Sequence, residues 1–244
     1  MPGWGMRYVS PDGNSYELLN GGAGTPFIEY DTLSGLVGVF EDTPIESVGV
    51  PGARVDFRDR VVKQLEGSFT LVVFDAEQWE QARRDFSPRR HGTLVLESEE
   101  RFELPVRCST VLPPPGVVPE AGQRLEVALI SDAGVWECTL SSTLNSVTVT
   151  NWGDVPVWPE IVWNGAGGPV TLPSGAKFTL PAVTSEHRLP LARNASGKAV
   201  NTSTGATLAT DAVGESVPVD ETRTFITPTS ARLNWKIGVL DPWI

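Results

Sequence analysis

Along most of this chain apolar residues recur at every second position, and in one stretch they recur at helical spacing. Residues 67–74 form a short β-rich run, Gly-Ser-Phe-Thr-Leu-Val-Val-Phe. From Asp75 the period becomes 3.6: Trp79, Ala82 and Phe86 fall at i, i+3 and i+7, one face that can lie on a sheet. Asp75 is the expected N-cap and Gln78 its capping-box partner, with Phe74 and Trp79 in the two positions of a hydrophobic staple. Glu80 and Arg84 are spaced for an i,i+4 ion pair, and Ser87-Pro88 stops the helix. At about three turns it depends on packing of Trp79 and Phe86 for its stability. The period then returns to 2. Residues 92–97 read as a strand, and 101–111 as another, with Phe102, Leu104, Val106 and Cys108 on the inner face. Pro105 lies on the wet face without an N–H to donate, which predicts an edge strand or a bulge. Leu125, Val127 and Leu129 mark one more half-buried strand.

The first 66 residues are rich in turns. Pro11-Asp-Gly-Asn14 between Tyr8-Val9 and Tyr16-Glu-Leu-Leu19 predicts a β-hairpin. Gly21-Gly-Ala-Gly24 lacks the Lys-Ser/Thr of a phosphate loop and no helical pattern follows, so it reads as a flexible loop. Short strands are expected at 28–30 and 36–40, turns at 49–52, and at 56–60 a loop that can order against a neighbour. Val111-Leu-Pro-Pro-Pro-Gly116 reads as a stiff extended connector rather than a proline-motif ligand. Past Leu140 no helical pattern remains. Strands are predicted at 147–149, 160–163, 170–172, 177–180, 224–226 and 233–240, separated by turns. The fold class is therefore mainly β with one short helix. The polar run 141–146 divides it into a domain over 1–143 and an antiparallel β-sandwich over 144–244.

Composition narrows the chemistry. The 24 Gly and 20 Pro among 244 residues fit many turns rather than disorder. A net charge of −11 repels phosphate, which argues against an open face for sequence-specific nucleic acid, but suits a surface that nucleic acid slides past. No apolar run reaches the ~20 residues that span a bilayer, and no signal-like segment follows Met1, so synthesis in the cytoplasm without membrane insertion is expected. Cys108 and Cys138 are expected as buried thiols, although a single bridge is compatible with their spacing. His91 and His187, the only histidines, cannot make a multi-histidine metal site, and His187 is placed in a surface loop. Nothing singles out two of the 30 carboxylates as an acid pair. No enzymatic role and no cofactor are expected. Arg83, Arg84, Arg89, Arg90 and His91 form a basic cluster in an acidic chain. DNA contact is one use; a solvated helix end facing Glu97, Glu99 and Glu100, or pairing with an adjacent subunit, is the favoured one. Trp152, Trp158 and Trp163 serve either a sandwich core or interface, or the stacking of a sugar on Trp152 and Trp158.

Several of these features, in this order, resemble the distal tail protein of long-tailed, non-contractile bacteriophages, called a minor tail protein in phages of actinobacteria. The similar parts are the strand ending at Phe74 with Asp75-Ala-Glu-Gln-Trp-Glu-Gln-Ala-Arg-Arg84, the run Pro88-Arg-Arg-His-Gly-Thr-Leu-Val-Leu96, and the strand at 125–130 with Ser131-Asp-Ala-Gly-Val-Trp136. They continue with Val149-Thr-Asn-Trp-Gly-Asp-Val-Pro-Val-Trp-Pro-Glu-Ile-Val162 and the Asn234-Trp235 strand. The resemblance covers about residues 60–244 and rests on the order of the elements rather than on one motif. It implies an N-terminal domain of split-barrel or sandwich form that builds a ring of six copies, and a C-terminal galectin-like sandwich. The implied ring sits around the DNA channel between the tail tube and the tail-tip or hub proteins. Implied partners are the tail tube protein, the hub protein, the tape measure protein and, for the second domain, a host surface glycan. The implied location is the tail tip of the virion, with assembly in the host cytoplasm. A carbohydrate-binding or adhesion module built on the C-terminal sandwich is the alternative.

Overall fold

The computed structural model describes residues 4–19, 21–46, 48–49, 51–56, 60–112, 123–195 and 197–244. Residues 113–116 of the proline-rich connector and parts of the 49–52 turn, the 56–60 loop and the turn at 196–197 lie outside them. The chain divides into two compact units, Met1–Trp136 with Leu240–Ile244, and Glu137–Val239. The first therefore ends before the polar run at 141–146, and the last five residues belong to it and not to the sandwich.

In the first unit, Ser15–Glu17, Gly5–Val9, Gly92–Glu97 and Arg101–Cys108 lie side by side, each antiparallel to the next. The hairpin at 8–16 is as expected, with Tyr8 opposite Tyr16 and Gly13 in the left-handed region at φ 88°. Gln123–Ser131 runs antiparallel to the whole of Leu65–Val73, whose other flank receives Phe27–Ile28 and Ser34–Gly35. Alternation places Leu125, Val127 and Leu129 inside, with Leu65, Phe69, Leu71 and Val73 across from them. Pro105 pairs with Thr93 on one flank; on the other, Arg101–Cys108 registers with Gln123–Ser131 at Arg107 and Cys108. Arg101–Cys108 therefore has strand neighbours on both flanks and is not the edge strand that Pro105 predicts. No barrel closes among the described residues.

The helix spans Ala76–Asp85 and is the one α-helix among the described residues. Asp75 caps it by accepting from the Gln78 N–H at 2.8 Å. The reciprocal bond differs from a standard capping box: Gln78 Oε1 accepts from the N–H of Phe74 at 2.9 Å, and its Nε2 donates to the Gly24 carbonyl at 2.7 Å. Gln78 thus ties the helix start to the glycine loop. Trp79, Ala82 and Phe86 are buried as predicted. The Phe74 ring meets Phe27. Glu80 and Arg84 make no ion pair among the described residues.

The second unit is two antiparallel sheets. One orders Trp136–Ser142, Ala231–Val239, Glu160–Gly165, Val183–Pro190, Lys198–Asn201 and Thr207–Ala209; the other orders Ser146–Thr150, Thr222–Ile226, Gly168–Thr171 and Lys177–Leu180. Val147, Val149, Val170, Phe178, Leu180 and Phe225 from one sheet and Ile161, Trp163, Leu189, Leu233 and Ile237 from the other are buried, the two-layer core of a sandwich. The six strands predicted here all form. Val183–Pro190, Lys198–Asn201 and Thr207–Ala209 are additional, so His187 stands on a strand and not in a loop. Pairing with Glu160–Gly165 makes that strand, because its own residues alternate only between half-buried and exposed up to Leu189. The strand expected at 36–40 is also displaced: Leu36 adopts φ 59°, between strands Ser34–Gly35 and Phe40–Glu41.

Candidate functional site

The helix C-terminus carries the basic cluster, and the structure splits it. Arg90 forks onto Asp12 with bonds of 2.6 and 2.7 Å, so its partner lies within its own chain. That guanidinium holds the Asp12 carboxyl below the usual carboxylate range. His91 Nε2 stands 3.0 Å from Asp132, which also accepts from Arg107 at 2.9 and 3.1 Å. Arg107 first, then His91, bring the Asp132 carboxyl down to about 2. Arg83 lies over the Trp79 ring at 4.9 Å and donates to the Leu112 carbonyl. Arg84 and Arg89 point to solvent. Arg83, Arg84 and Arg89 have no carboxylate partner among the described residues. Glu97, an expected partner of the cluster, is engaged by Arg7 instead.

Beneath the cluster lies a group that sequence reasoning missed. Asp85, the last helical residue, is fully buried. Its carboxylate accepts from Asn14 Nδ2 at 3.1 and 3.2 Å, from Gln81 Nε2 at 2.9 Å and from the Tyr16 hydroxyl at 2.5 Å, and its carbonyl accepts from the Tyr8 hydroxyl at 2.9 Å. Burial, then the neighbouring Asp85 carboxylate, raises the Tyr16 phenol above its ordinary range, and burial does most of the same to Tyr8. The two tyrosine rings and Phe86 form one aromatic cluster, with Tyr8 stacked on Phe86 at 4.3 Å. This network fixes the helix end against the first hairpin, with both carboxylate oxygens of Asp85 accepting hydrogen bonds. The helix start, with the Gly21–Thr25 loop, borders an acidic cleft of about 580 Å³ that includes Glu17, Asp75 and Glu77.

In the second unit the Asn151-Trp-Gly-Asp154 turn is organised by its asparagine. Asn151 is fully buried; its Nδ2 donates to the carbonyls of Val155 and Val217 at 2.9 and 3.0 Å, and its Oδ1 accepts from the Gly153 N–H at 3.0 Å. A Cβ on Gly153 would strike the Gly238 carbonyl and Ile237, so only glycine lets the turn approach the closing strand. The turn leaves Trp152 47% and Trp158 37% exposed. Trp163 is buried, with its Nε1 donating to the Pro181 carbonyl at 3.0 Å and its ring beside His187. Of the three tryptophans, two face solvent and one serves the core. Both cysteines are buried and neither forms a disulfide, and burial pushes the Cys108 thiol up to about 12. Among the described residues no three His, Cys, Asp or Glu side chains gather as a metal site, and no helix is long and apolar enough to cross a membrane.

No protein-family model and no curated protein matches the chain. Solved structures do. The Dit (gp 19.1) protein of SPP1, described as a paradigm of the hub adsorption apparatus in phages that infect Gram-positive bacteria, is similar with a TM-score of 0.60 at 12% identity, over 97% of this chain and 99% of that one. A chain of the phage P2 baseplate in its activated conformation with Ca is similar at 0.58 and 9% identity, over 96% and 98%. The corresponding structure with Sr gives 0.57 at 10%, over 96% and 97%. The chain therefore has the fold of phage Dit and baseplate-hub proteins from one end to the other.

Proposed function

We propose that this chain is a structural component of a phage tail hub: a distal tail protein of a long-tailed, non-contractile phage. The observation that carries this is the extent of the fold likeness, 97% of this chain against 99% of SPP1 Dit, with both units included. The order of motifs in the sequence supports the same family independently of the fold. In this role the first unit builds a six-fold ring around the DNA channel, between the tail tube protein and the hub or tail-tip protein, with the tape measure protein as a further partner. The second unit is the galectin-like domain of that family. Gold-labelled antibody against the chain, applied to virions that carry its gene, is expected to mark the distal end of the tail. Label on the capsid or along the tail, or none on the particle, would refute the assignment.

A second use is compatible with the first. Trp152 and Trp158 present aromatic faces that can stack on a saccharide. Binding of the full chain to a glycan array, lost in Trp152→Ala and Trp158→Ala, is the expected result of that use; a parent protein that binds no glycan sinks it.

A further inference from the structure

The four-stranded sheet of the second unit has a gap inside it. Thr222–Ile226 lies between Ser146–Thr150 and Gly168–Thr171, but meets the latter only where Thr171 faces Ile226. Backbone bonding alternates from side to side along an antiparallel strand. The Asn151 N–H donates to Glu221 and the Thr227 N–H to Asn145, which sets the phase. Arg223 and Phe225 therefore bond toward Ser146–Thr150, while Thr222, Thr224 and Ile226 turn their N–H and C=O groups the other way. Past Thr171 the next bonded rung would set Thr224 against Pro173, which has no N–H to give, so the ladder stops. Among the described residues Thr222 and Thr224 have no backbone partner on that side. The result is a cleft of about 550 Å³ lined by Pro173, Ser174, Glu215, Thr222, Arg223 and Thr224. Its borders are held in place. Thr222 and Thr224 are tied to Thr150 and Thr148 by hydroxyl contacts of 3.0 and 3.1 Å. Ser174 donates its N–H and its hydroxyl to Glu215 at 2.9 and 2.7 Å, and Glu215 is only 9% exposed.

We propose that this cleft takes an extended, basic peptide segment of another protein as an added strand. The hydrogen-bonding pattern selects a peptide. Thr222 offers one N–H and one C=O, and Thr224 repeats them about 6.8 Å further on, a spacing that an extended backbone answers with the same pair of groups. Open edges are commonly blunted by proline, lysine or a bulge, whereas this one presents β-branched threonines. Charge selects a basic segment. Glu215 and Glu221 share one guanidinium, that of Arg223, at 3.5 and 2.9 Å, which leaves one carboxylate charge uncompensated beside the open rungs. A saccharide is the poorer fit, because among the described residues no aromatic ring lines the cleft for it to stack on. The inference needs only the sandwich and stands apart from the tail-hub assignment.

The probe is acetyl-Val-Thr-Lys-Thr-Val-amide, titrated into the isotope-labelled full chain. It is expected to bind saturably, to move the NMR signals of the Thr222 and Thr224 amides, and to slow their hydrogen exchange about tenfold. The same peptide methylated on its central backbone nitrogens should lose that binding, and one with Glu in place of Lys should bind about tenfold more weakly. Pro173→Ala returns the missing N–H. It is expected to protect the Thr224 amide in the free chain and to reduce peptide binding, with thermal melting at or above the parental value. A peptide that leaves both amides untouched, or that binds as well once methylated, overturns the proposal. So does a Pro173→Ala chain that protects Thr224 yet binds as before, and so do neutral oligosaccharides that move these amides where the peptide does not. The tail-hub role is judged separately, by labelled virions.

Discussion

Each unit is organised around one fully buried polar side chain, and the two solve the problem differently. Asp85 accepts only, and takes its hydrogen bonds from three side chains, Asn14, Tyr16 and Gln81. Asn151 both donates and accepts, and all its partners are backbone groups within the sandwich. A carboxylate satisfied by side chains needs particular residues elsewhere in the chain. An amide satisfied by backbone needs only the turn and its neighbours to be in place. The contrast explains why Asn-x-Gly-Asp is visible as a local motif while Asp85 hides inside a helix end that looks merely polar.

Removing the acceptor is the strongest way to break the first arrangement. Asp85→Ala leaves the Tyr16 hydroxyl without a partner in the core and the exposed Asn14 and half-buried Gln81 amides without their anchor, and is expected to cost about 3–5 kcal/mol in urea unfolding. An effect below about 1 kcal/mol would show that the network is dispensable. The comparison sharpens in Asn151→Asp, which keeps shape but turns a negative oxygen toward the Val155 and Val217 carbonyls. Its expected cost is about 3 kcal/mol, above the about 2 kcal/mol for Asn151→Ala. If Asp and Ala cost the same, the two donated bonds are not what holds the turn. Tyr16→Phe removes one bond to a buried carboxylate and should cost about 1.5–3 kcal/mol. Smallest is a pH effect outside both networks. The folded Asp132 carboxyl titrates at about 2, below the ordinary value near ~3.9. A lowered pKa contributes stability above the unfolded value, and that contribution is lost as pH falls from about 4 toward 2. Asp132 is half exposed, so solvent screening keeps it small. Asp132→Asn should flatten the acid limb of the melting curve slightly; an unchanged limb would exclude a stabilising role for this cluster.

Local signals in the sequence were enough for the helix and for strands with one buried face. Asp75, Gln78, Trp79, Ala82 and Phe86 all act within a few residues of one another, so spacing alone fixes their places. Val183–Pro190 escaped because its alternation is faint and a neighbouring strand supplies its order. Leu36 escaped because a left-handed backbone at a leucine contradicts its type. The structure compensates by burying it and bonding its carbonyl to Trp136 Nε1 at 2.8 Å. For the candidate site, clustering of the arginines along the chain was legible, but their partners were not. Arg90 meets Asp12 across 78 positions, a distance no spacing rule covers. Trp152 lies in the turn and Trp158 next to the isolated bridge at Val157, so their exposure, against burial of Trp163 on its strand, likewise depends on tertiary placement that spacing does not give.

The last five residues change the genetics of the molecule. Leu240–Ile244 rejoin the first unit, where Trp243 meets Trp4 and Trp136, and the Leu240 carbonyl accepts from Gly38. On the outgoing side Trp136 bonds Leu36. The chain thus leaves the first unit and returns to it at places pinned two residues apart, so residues 137–239 are an insert and not a tail. A stop codon placed late in the gene would injure the first unit, not the second. Exchange of the insert between two such genes needs a pair of crossovers, but then delivers a new sandwich on an unbroken base.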